Sequence, residues 1–84
     1  MSDRKDQVRA MIHAVLAEVE NNPDFSDDDS LVLSRRLSSL QVVELASQLE
    51  QAYQLDFAQL GFNQYDFDSV NSILELIQRS GKNN

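Results

Sequence analysis

The chain has 84 residues, 42% hydrophobic and 25% charged, with two Gly and one Pro, so a single helical domain with one small core is expected over 1–84, ordered from about residue 4 to about 80. Seven Lys and Arg against fourteen Asp and Glu leave a net charge of −7, which repels nucleic-acid phosphates and anionic membrane surfaces and favours basic partners. No cysteine is present, which excludes disulfides, thiolate metal sites and an encoded thiol nucleophile.

Near the start, Arg9, His13 and Glu18 interrupt the apolar residues, so neither a signal-peptide core nor a membrane span forms and a cytoplasmic location is expected. The same segment carries Val8, Met11, Ile12, Val15, Leu16 and Val19 on one helical stripe, and the helix is expected to run to about Asn21-Asn22-Pro23. Glu18 and Glu20 then fall at the negative end of its dipole and Arg4 and Lys5 at the positive end, an unfavourable arrangement. From residue 21 to about 37 no period is sustained, which predicts a long loop anchored by Phe25, Leu31 and Leu33.

Ser38, with Gln41 three residues on, forms a capping-box pattern that opens a second helix. Val42, Leu45, Ala46, Leu49, Ala52 and Tyr53 follow at helical spacing, widened by Leu40 and Val43, and the helix is expected to be largely buried and to end near Gln54-Leu55. An aromatic connection with Phe57, Phe62, Tyr65 and Phe67, broken by Gly61, has room for one short helical turn. Asp68 is the expected cap of a last helix carrying Val70, Ile73, Leu74 and Ile77 and stopping at Gly81, with residues 82–84 frayed. These stripes need one another for cover, which predicts a small all-α bundle.

Catalytic constellations fail on their parts. A calcium loop from Asp24 needs Gly at its sixth position and Glu at its twelfth, where Asp29 and Arg35 stand. His13 is the single histidine and reads as a surface residue, while Asp66 and Asp68 read as helix-start residues rather than an acid–base pair. The chain is therefore not expected to be an enzyme. Between Leu37 and Gln78 there is no Lys or Arg, while Glu44, Glu50, Asp56, Asp66, Asp68 and Glu75 are present, and Arg35 and Arg36 stand just before this acidic block. Ser39 lies at the first turn of the second helix, where free amides and the dipole favour an anionic group such as a phosphate ester, and the residues alone also fit Ser38 and Ser39 acting only as capping residues.

The run Ser34-Arg35-Arg36-Leu37-Ser38-Ser39-Leu40-Gln41-Val42-Val43-Glu44-Leu45 resembles the phosphopantetheine attachment segment of acyl carrier proteins, whose pattern is Asp-Ser-Leu followed by x-x-Val-Glu-Leu. The resemblance continues through Leu49-Glu50, Tyr53-Gln54-Leu55-Asp56-Phe57 and Phe67-Asp68-Ser69-Val70. It implies an acyl-carrier-like four-helix bundle with a short third helix, and a free-standing acyl or aminoacyl carrier. On it, Ser39 takes a 4'-phosphopantetheine arm donated by coenzyme A, between Ser38 and Leu40, and the thiol of the arm holds pathway intermediates as thioesters. Glu44, Ser47, Gln48 and Glu50, with Arg35 and Arg36, would form the partner-binding surface. Implied partners are a phosphopantetheinyl transferase, an acyl- or aminoacyl-loading ligase, and downstream transferases or synthases with basic patches, in fatty-acid, polyketide or aminoacyl biosynthesis. A monomer is expected, with no nucleic-acid partner and no membrane insertion. Two positions depart from the pattern: Ser38 replaces its aspartate, and Arg36 is large where relatives often carry a small residue. The other reading open to the sequence is an acidic helical interaction module without a prosthetic group.

Overall fold

A computed structural model describes residues 3–80. It contains α1 (Arg4–Leu16), α2 (Ser39–Tyr53), α3 (Phe57–Leu60), a 3-10 turn (Gln64–Phe67) and α4 (Val70–Ser80), with no strand among the described residues. This is the all-α, four-helix architecture with a short third helix. The expected stop at Gly81 and the fraying of 82–84 lie outside the described residues. α1 packs against α2 and α4, and the 3-10 turn closes the space between α2 and α4. The core is built from Val8, Ile12, Val15 and Leu16 of α1, Val42, Leu45 and Leu49 of α2, Val70, Ile73, Leu76 and Ile77 of α4, and Phe67 of the turn.

The first helix ends earlier than its apolar spacing suggests. Past Leu16 the backbone tightens into single turns, with Glu18 N–H donating to the Val15 carbonyl and Val19 and Glu20 N–H to that of Leu16. Asn22 then adopts the left-handed conformation (φ 53°). Val19 falls beyond the ordered stripe and is 70% exposed, a correction to its expected place in the core. The early end places Glu18 and Glu20 past the helix, while Arg4 and Lys5 remain in its first turn as expected, and two of these charges find partners. Glu20, off the helix, takes a two-pronged hydrogen bond from Arg36 at 3.1 and 2.8 Å, and Lys5 at the other end pairs with Asp27 at 3.1 Å.

The long connection is pinned to the helices. Phe25, Leu31 and Leu37 are buried in it, whereas Leu33, expected as an anchor, is 67% exposed. Asp27 is its electrostatic centre: it accepts from Lys5 and, at 2.7 Å, from Arg9, while its carbonyl accepts from Asn71 N–H. Arg9 also lies over the Phe25 ring, 4.6 Å from its centroid. His13 is exposed on α1.

α2 buries one face only. Val42, Leu45, Ala46 and Leu49 keep i, i+3, i+4, i+7 spacing and are buried, but Leu40 and Val43 sit off that stripe and are 77% and 55% exposed, and Ala52 is exposed as well. The expectation that they widen the buried face is wrong, because α1 and the 3-10 turn cover a single side of the helix. Its end is as expected, with Gln54 in the left-handed conformation (φ 56°). The aromatic connection contains two helical turns, α3 and the 3-10 turn, where one was expected. The cap of α4 also differs: the Ser69 hydroxyl accepts from Ser72 N–H at 3.1 Å, and Asp68 is used elsewhere.

Candidate functional site

The N-terminus of α2 is fixed by reciprocal hydrogen bonds. Gln41 N–H donates to Ser38 Oγ at 3.2 Å, and Ser38 N–H donates to Gln41 Oε1 at 3.0 Å, which is the expected capping box. The remaining polar end of Gln41 reaches further: its Nε2 donates to the Val15 carbonyl at 3.2 Å, in a buried position. One side chain thus caps α2 and ties it to the end of α1. Ser39 follows as the first helical residue and is exposed. No acidic residue occupies the first turn, and the amides of Ser39 and Leu40 have no intrahelical acceptor at that position. The hydroxyl of Ser39 is therefore offered beside a stationary, electropositive helix end.

The loop entering the site is closed on itself and tied to Asp68, at the end of the 3-10 turn. Leu37 N–H donates to the Leu31 carbonyl at 2.8 Å and Arg35 N–H to that of Val32 at 3.0 Å, while Leu31 N–H donates to the Asp68 carbonyl at 2.6 Å. The Asp68 Oδ1 accepts three more bonds, from Ser30 Oγ at 2.9 Å, Val32 N–H at 2.8 Å and Leu33 N–H at 3.0 Å. Partial burial pushes the Asp68 carboxyl up, but the bonds from Leu33, Ser30 and Val32, with the Leu31 amide close by, together outweigh it and hold the group below the ordinary aspartate range. Within this loop Arg35 adopts a left-handed conformation (φ 70°). The loop, Ser38, Ser39 and the residues Gln64 and Tyr65 of the 3-10 turn bound an open groove of about 570 Å³.

The residues singled out in the sequence fall into separate settings. Leu40 stands exposed beside Ser39. Ser47 and Glu50 border a second, shallow groove of about 320 Å³ with Val43, Ala46 and Phe62. Gln48 and Glu44 are half-buried on the same helix. The two arginines diverge: Arg35 lines the groove with Ser39, while Arg36 is engaged by Glu20 and donates to the Asp24 carbonyl at 2.9 Å.

Glu44 has a neighbour not evident in the sequence. A shared hydrogen bond with Glu18, then desolvation and the negative charge of Glu18, raise its carboxyl above the ordinary range. For an acid shifted upward, the repulsion acts above its folded-state pKa and is relieved as pH falls through it. Glu18→Gln is accordingly expected to raise the melting temperature at neutral pH, with the gain vanishing on acidification. Thermal melts of both proteins across the carboxylate range check this.

Gln64, Tyr65 and Asp68 were absent from the sequence-derived site. No local pattern marks the first two, because the fold of the 57–67 connection brings them to Ser39. Asp68 carried a signal, an acid preceding a helix, but that signal pointed to a cap.

The sequence matches the family model described as a phosphopantetheine attachment site over residues 6–77. Searches of curated proteins and of solved structures give no match. Members of this family bear 4'-phosphopantetheine covalently and act as non-catalytic carriers of that arm. The match leaves out only the first five and last seven residues, so the chain belongs to the phosphopantetheine attachment family, that of the acyl carrier proteins.

Proposed function

We propose that Ser39 is the serine that receives the arm, and that the protein carries acyl or aminoacyl cargo. The observation that carries this reading is the division of labour between two adjacent serines. Ser38 holds the helix cap through its hydroxyl, whereas Ser39 is exposed on the first turn with a groove beside it. During transfer the Ser39 oxygen displaces the nucleotide half of coenzyme A at phosphorus, losing its proton and gaining a phosphodiester. An attached group would fit this place chemically, since an anionic diester there would lie near the free amides of α2, with no carboxylate in its first turn. When bound, the arm supplies a thiol that the chain itself lacks, and that thiol holds cargo as a thioester.

Partner enzymes would meet α2 through Glu44, Ser47, Gln48 and Glu50, with Arg35 at its margin and the exposed Leu40 and Val43 between them. A surface of carboxylates around apolar side chains suits a basic-rimmed apolar patch, and its contacts should be fast and salt-sensitive. A monomer, and a cytoplasmic setting beside coenzyme A, belong to the same proposal.

The test is intact-mass analysis after incubation with coenzyme A and a broad-specificity phosphopantetheinyl transferase. The wild-type chain should gain the mass of one arm and Ser39→Ala none, while Ser38→Ala should still be modified. A folded wild-type chain that gains nothing, or a Ser39→Ala chain that still gains the arm, overturns the assignment.

A further inference from the structure

Among the described residues most of the basic side chains are already engaged. Lys5 and Arg9 pair with Asp27, Arg36 with Glu20 and Arg79 with Asp66, and Arg4 lies 5.9 Å from the centroid of the Tyr53 ring. Arg35 takes part in none of these contacts. It is exposed, and it lines the same groove as Ser39. Its left-handed backbone (φ 70°) is uncommon for a non-glycine side chain. The charge around it is also unusual for this protein. The chain as a whole carries −7, yet the first turn of α2 has no acid and its cap is the neutral Ser38. Arg35 and the free helix amides therefore form a small cationic pole on an acidic molecule.

From this geometry we infer that Arg35 is a positioning residue for the phosphodiester of the arm on Ser39, and that it directs the first part of the arm into the groove beside Leu37 and Tyr65. This rests on the assignment of Ser39 as the attachment residue. The diester carries one negative charge and begins at the Ser39 oxygen, at the rim of the groove that Arg35 lines. A guanidinium there offers several donors to its oxygens. The arm is then turned away from Leu40 and Val43, which keeps that face of α2 open for partner enzymes.

The experiment uses full-length protein loaded with the unacylated arm, in wild-type, Arg35→Asn and Arg35→Lys forms. Asn accepts the left-handed conformation without charge, and Lys keeps the charge. Intact mass is read first, and isotope-filtered NOEs are then measured between the geminal methyl groups of the arm and the Leu37 methyls and Tyr65 ring. At low salt the wild-type chain should show these contacts and Arg35→Lys should retain them. In Arg35→Asn they should fall about threefold or more, as should those of the wild type in high salt, in keeping with the loss of an exposed charge contact. Arms present in all three proteins with equal NOEs in Arg35→Asn would overturn the role of Arg35 and leave the Ser39 assignment standing. A folded wild-type chain without an arm would overturn both.

Discussion

Phe67→Ala is expected to lower stability by about 3–5 kcal/mol, the usual cost of deleting a fully buried aromatic ring. A chain of this length has a total stability of about 4–13 kcal/mol, so much of the folded state's margin is at stake, and the melting temperature should fall by at least about 12 °C. Phe67 is fully buried. Its ring centroid lies 6.0 Å from Phe57 and 5.6 Å from Phe62, and those two meet edge to face at 5.8 Å. This trio gives the 57–67 connection its shape, since α3 and the 3-10 turn are each only four residues long and have little stability of their own. Phe62 is half exposed, so Phe62→Ala should cost much less, about 1–2 kcal/mol. Thermal and denaturant unfolding of the two variants tests the assignment, and equal losses would show that the turn is not held through Phe67. The damage should also reach the site, because the same turn supplies Gln64 and Tyr65 to the groove and leads directly into Asp68.

The sequence shows how much local chemistry can disclose and where it stops. The capping box at Ser38 and Gln41, the helix end at Gln54 and the burial of Phe25 and Leu31 were legible because each depends on residues close in sequence or on plain hydrophobicity. The family resemblance was legible because the motif that carries it is local in sequence. The errors share another cause. Val19, Leu40 and Val43 were placed in the core on period alone, but burial depends on which neighbours exist, and α2 has cover on one side only. The pairing of Arg36 with Glu20 spans 16 residues and that of Glu18 with Glu44 spans two elements. Neither leaves a periodic trace. The groove beside Ser39 has the same character, since its far wall comes from a turn some 25 residues away in sequence.

Asp68→Ala is expected to release the loop that leads to Ser39 while leaving α2 in place. The substitution strips the acceptor from Ser30 Oγ and from the amides of Val32 and Leu33. The first two are part-buried, so they regain water poorly, and a loss of about 2–3 kcal/mol follows from leaving such donors unpaired. The bond from Leu31 N–H to the Asp68 carbonyl survives, being backbone to backbone. Amide exchange should therefore quicken at Val32 and Leu33, while the amides of α2 beyond its cap, held by Gln41 and the core, change little. The pH dependence carries a sign. The carboxyl of Asp68 is held below its ordinary range in the folded protein, so its contribution is complete above the unfolded-state pKa and is lost as pH falls through the folded-state value. Asp27, drawn down by hydrogen bonds from Lys5 and Arg9, and Glu20, drawn down by Arg36, act in the same direction. Wild-type stability should decline on acidification, and Asp68→Ala should decline less steeply from a lower start. Asp68→Asn separates geometry from charge: its amide oxygen can keep the bonds to Ser30, Val32 and Leu33 but has no proton to gain. That variant should protect the loop amides better than Ala and yet show the shallower acid decline. Identical acid limbs in wild type and Asp68→Asn would show that the carboxylate of Asp68 does not govern the loop.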